Sequence, residues 1–97
     1  MNQTERIIYM ETILNEFSEK NRKLFLALED YETGRERLEE LIKYYQSPLW
    51  IKDFEDDARG KFPQDLKRGV LSEDAVYNLL MEIDDLKEKL LLLAQKN

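Results

Sequence analysis

The chain is 97 residues long and sets 15 Lys and Arg against 21 Asp and Glu, for a formal charge of −6 with no histidine and no cysteine, so a single small domain (1–97) with a modest core is expected. An acidic balance repels nucleic-acid phosphates and anionic lipid, which argues against nucleic acid or a membrane surface as partner. Missing thiols rule out disulfides and thiolate metal sites, and the missing imidazole removes the commonest general base.

The opening run Met1-Asn2-Gln3-Thr4-Glu5 has no basic region ahead of an apolar stretch, so no export signal is read and a cytoplasmic location is expected. A short polar cap at Asn2 to Thr4 starts the first helix. From Ile7 the positions three and then four residues apart are Ile7, Met10, Leu14, Phe17, Asn21, Leu24, Leu28, Tyr31, Arg35, Leu38, Ile42 and Tyr45, with only Asn21 and Arg35 interrupting an apolar stripe. An α-helix returns to one face at this spacing, so the stripe must find a partner surface. Thr33-Gly34-Arg35-Glu36 resembles a capping box and could bend or restart the helix. The seam keeps its phase across Gly34, however, so one continuous helix over 1–46 is expected.

Ser47-Pro48 ends that helix and starts the next, with Ser47 as N-cap and Pro48 in the first turn. The short connector helix should run from about Pro48 to Arg59 and stop at Gly60 in a left-handed cap. Phe62-Pro63 then forces extended backbone, Gln64 to Lys67 allows one turn, and Arg68-Gly69 breaks the chain again ahead of Val70 and Leu71. Ser72 reads as the cap of the last helix, with Leu71 and Val76 as a hydrophobic staple. That helix, Glu73 to Gln95 within segment 72–97, repeats the seam in Val76, Leu79, Ile83, Leu86, Leu90 and Leu93. Its longest apolar run, Leu90 to Ala94, is far short of the roughly 20 residues that cross a bilayer.

The fold class is therefore all-α: a long N-terminal helix, a connector with a short helix (47–71) and a C-terminal helix, forming an antiparallel hairpin or bundle. At about 1.5 Å per residue the first helix extends about 60 Å and the last about 35 Å. An antiparallel return from near Tyr45 reaches only about Asn21 and leaves Ile7, Met10, Leu14 and Phe17 uncovered. A homodimer through these residues, with Leu92 at the other end, is the expected consequence; a break near Gly34 giving a compact monomer is the competing reading.

Tyr44-Tyr45-Gln46-Ser47, Trp50, Asp53, Gly60, Pro63, the run Asp65 to Asp74 and Tyr77 together resemble a short bacterial family known as a domain of unknown function, number 4298. The resemblance covers nearly the whole chain and is most specific from Asp65 to Tyr77. It implies a helical fold and a bacterial source, and carries no activity onto any residue.

Tyr44, Tyr45, Trp50, Phe54, Phe62 and Tyr77 gather aromatic side chains around the connector, either as a recognition surface for a protein partner or as a satellite core. Lys67 and Arg68 could hold an anion near the start of the last helix, or pair with Asp53, Asp65 or Asp74. Asp53, Glu55, Asp56 and Asp57 suggest a calcium loop, with acids at relative positions 1, 3 and 5, but Ala58 and Gln64 stand where glycine and glutamate are required, so a solvated helix face is expected and no metal. Glu36, Glu39 and Glu40 with Glu82 and Asp85 weakly imitate the magnesium carboxylates of all-α nucleotide pyrophosphohydrolases, and Lys43 spoils the pattern. The expectation is a non-catalytic interaction or scaffolding module without cofactor, set against that magnesium-dependent hydrolase and against an acidic regulator occupying a basic surface of its partner.

Overall fold

The computed structural model describes residues 1–96. It is all-helical, with α1 (Gln3–Thr33), α2 (Arg35–Tyr45), α3 (Pro48–Ala58), a 3-10 turn (Gly69–Leu71) and α4 (Ala75–Ala94), and no strand among the described residues. Two compact units emerge, Met1–Glu39 and Glu40–Asn97.

In the first unit, Asn2 caps α1 as its sequence suggests. Its Oδ1 accepts the Glu5 N–H at 2.8 Å, while its Nδ2 donates to the Glu5 carboxylate at 3.1 Å, which satisfies one of the free first-turn amides. No residue of α1 is buried. The seam side chains Ile7, Met10, Leu14 and Phe17 are 58, 56, 60 and 62% exposed, and Leu24, Leu28 and Tyr31 are exposed as well.

The continuous helix expected over 1–46 is divided at Gly34. The Thr33 hydroxyl donates to the Asp30 carbonyl at 2.8 Å, the group a regular α-helix would offer to the Gly34 N–H. The Gly34 N–H bonds instead to the Tyr31 carbonyl at 3.2 Å, three residues back, with φ −87° and ψ −5°. The Leu38 N–H already returns to the Gly34 carbonyl at 3.1 Å, so the interruption lasts one residue. Thr33 thus bonds backward rather than heading a capping box.

In the second unit, α3 starts where Ser47-Pro48 predicts. Ser47 is extended (φ −98°, ψ 159°) and Pro48 opens the helix, but the Ser47 hydroxyl donates back to the Tyr44 carbonyl at 2.6 Å instead of capping α3. The helix ends at Ala58, and Gly60 takes φ 73°, a left-handed conformation that costs a side-chain-bearing residue about 1–2 kcal/mol. Pro63 to Leu66 form a turn, with the Leu66 N–H on the Pro63 carbonyl at 3.1 Å. Arg68-Gly69, read from sequence as a break, leads instead into the 3-10 turn, against which both α3 and α4 pack. The Ser72 Oγ accepts the Ala75 N–H at 3.1 Å, but the N-cap of α4 is Asp74, whose side chain makes no capping bond, and not Ser72. Glu73 and Asp74 form a turn ahead of α4, so the helix begins two residues later than expected. Leu71 and Val76, the staple pair, are the most deeply buried apolar side chains, at 7 and 3% exposure.

Candidate functional site

The second unit is organised around Trp50. The Ser47-Pro48 corner turns the chain so that residues ending α2 face residues of α3. Tyr45 meets the Trp50 ring edge-on and Phe54 stacks on its face, each with centroids 5.2 Å apart; one partner uses the positive edge of a ring and the other an offset face. The indole N–H donates to the Val70 carbonyl at 2.8 Å, which lies in a 3-10 turn too short to satisfy its own last carbonyls. Trp50 therefore joins α2, α3 and the 3-10 turn.

Beside it, the Tyr44 hydroxyl donates to Asp53 at 2.6 Å. Burial first, then the hydrogen bond and the charge of Asp53, push the Tyr44 phenol up to about 12, so near neutral pH it is a donor and not a base. Tyr44 and Asp53 share a cavity of about 270 Å³ with the apolar walls Phe62, Leu66, Val70 and Leu71 and the cations Lys67 and Arg68. That volume sits just below the ~300–1,000 Å³ of ordinary ligand pockets.

Arg68 is held by Asp57 at 2.8 Å, with both side chains partly buried, so the expected ion pair forms with a carboxylate other than Asp53, Asp65 or Asp74. Lys67 is exposed and makes no ion pair among the described residues. Of the acids that suggest a calcium loop, Asp53 is engaged by Tyr44, Asp57 by Arg68, and half-buried Asp56 by Lys61, Arg59 and Lys52 at 3.3, 3.7 and 3.9 Å, so these three do more than line a solvated face, while Glu55 stays exposed. Among the described residues no three carboxylates are grouped so as to hold a metal ion.

Of the residues expected in a partner-binding face, Tyr44, Tyr45, Trp50, Phe54, Lys67 and Arg68 come together here, and the Tyr45 hydroxyl also reaches the Glu73 carbonyl at 3.3 Å. Tyr77 does not; it is exposed on α4 and takes part in neither ring pair. Asp57 and the Val70 carbonyl, absent from the expected face, are what fix Arg68 and Trp50. No periodicity flags either one, because both contacts span loops rather than a helix face.

The features define a class: a small all-helical chain that couples a heptad-patterned helix to a tightly bonded aromatic joint. The family model described as a domain of unknown function (DUF4298) matches residues 7–93, from the first seam position almost to the end of α4, and the chain belongs to that family. No curated protein and no solved structure matches it. No described helix is long and apolar enough to cross a membrane.

Proposed function

We propose that this chain is a non-catalytic protein–protein interaction or scaffolding module that self-associates through α1. The observation carrying this reading is the exposed seam: seven apolar side chains on one face of a 31-residue helix that buries none of them. At roughly 100 Å² of apolar surface each, they offer roughly 700 Å², close to the ~800 Å² per partner of a standard interface. Ile7, Met10, Leu14 and Phe17 are the most exposed of the seven, and Leu92 on α4 is exposed as well.

In the joint, Tyr44 is matched to Asp53, Arg68 to Asp57 and Trp50 to Val70, an arrangement suited to rigidity more than to turnover. Light scattering on the full chain at tens of micromolar tests the proposal. A mass twice the 11.7 kDa of one chain is expected, with Leu14→Asp reverting to monomer while the Trp50 fluorescence of the second unit is retained. A monomeric wild-type chain would overturn it.

A further inference from the structure

Self-association leaves open how two α1 helices align, and two features of the same face answer that. Resting on the self-association reading, we infer that α1 pairs with α1 of a second copy as a parallel, in-register coiled coil, aligned by Asn21 and by reciprocal Arg6–Glu11 pairs.

With Ile7 as position a of the heptad, Leu14, Asn21 and Leu28 are also a, and Met10, Phe17, Leu24 and Tyr31 are d. In a parallel pair a meets a and d meets d; in an antiparallel pair a meets d. Parallel and in register, Asn21 faces its own copy, and the two amides can donate to and accept from each other. At every antiparallel register that covers most of the seam, Asn21 is set against Met10, Phe17 or Leu24, and a buried amide without a partner is costly.

The flanks give an independent argument. Arg6 and Glu11 border Ile7, Met10 and Leu14 on an open groove of α1 and occupy positions g and e. A parallel, in-register pair brings each g side chain to the e side chain five residues later on the other helix, so Arg6 meets Glu11 of the second copy, twice by symmetry. Full antiparallel overlap, with Asn21 against Phe17, brings Arg6 and Glu11 to Gly34 and Phe25 instead.

The chain has no cysteine, so single thiols report alignment directly. In full-length protein under mild oxidation, Leu14→Cys should cross-link with itself into a covalent dimer, because facing a positions come within disulfide reach. Leu14→Cys mixed with Leu24→Cys should give no more hetero-dimer than random encounter. A Leu14→Cys chain that stays uncross-linked while the mixture cross-links would overturn the parallel alignment, yet light scattering would still record a dimer and leave self-association standing. A monomer by light scattering would remove both. Adding Asn21→Leu to each thiol variant should tighten association and let both cross-links form; unchanged selectivity would overturn the role given to Asn21.

Discussion

Replacing Trp50 with Phe deletes one hydrogen bond inside the joint, together with part of the indole's ring surface. Phenylalanine keeps a ring against Tyr45 and Phe54 but deletes the indole N–H, leaving the Val70 carbonyl without the donor that reaches it at 2.8 Å. A net hydrogen bond is worth about 0.5–1.5 kcal/mol, and an orphaned carbonyl adds up to about 1–3 kcal/mol when fully buried. Trp50 is only half-buried, so water recovers part of that penalty and the expected loss is about 1–2 kcal/mol. For a chain of this size each kcal/mol moves the melting temperature by about 4–8 °C, so Trp50→Phe should melt about 4–16 °C lower by far-UV circular dichroism at matched concentration. Trp50→Ala, which also forfeits both ring contacts, should cost about 3 kcal/mol. If Trp50→Phe melts with the wild type while Trp50→Ala does not, packing alone holds the joint and the role given to the Val70 carbonyl is wrong.

In an alkaline absorbance titration Tyr44 should ionise at about 12, where an ordinary phenol has 10.0. Because the folded state holds this proton more tightly than the unfolded chain, its contribution to stability is complete below pH 10.0 and declines as pH rises toward about 12. Tyr44→Phe should remove that decline together with the absorbance change near pH 12, and a variant that keeps both would contradict it. The glycines separate two kinds of helix ending. Gly34→Ala should raise stability by about 0.5–1 kcal/mol, since an added Cβ meets only ordinary contacts there; Gly60→Ala, with φ 73°, should lower it, by about 1 kcal/mol. Thermal melts of equal sign at the two positions would show that φ is not what separates them.

Features that depend on neighbours along one helix were legible in the sequence. Asn2 and Gly60 act at the helix ends where a side chain, or the lack of one, places them, and Leu71 and Val76 are the two most buried apolar positions, whereas Ser72 bonds the Ala75 N–H from two residues ahead of the actual N-cap. The interruption at Gly34 is legible only as the weaker of two readings, because an unbroken apolar phase does not require unbroken hydrogen bonding. A hydroxyl at Thr33 redirects one carbonyl without disturbing the phase. The 3-10 turn at Gly69–Leu71 is a single turn, too short to show any period. The pairings Tyr44–Asp53 and Arg68–Asp57 close over nine and eleven residues across bends. With several carboxylates in reach of each donor, only the folded geometry selects one.

Leu71 and Val76 are the buried apolar side chains among the described residues, where a domain of this length usually has many more. So little interior leaves brief openings of the backbone to proteases cheap; if α1 pairs as proposed, resistance to limited proteolysis should therefore rise with the concentration of the chain.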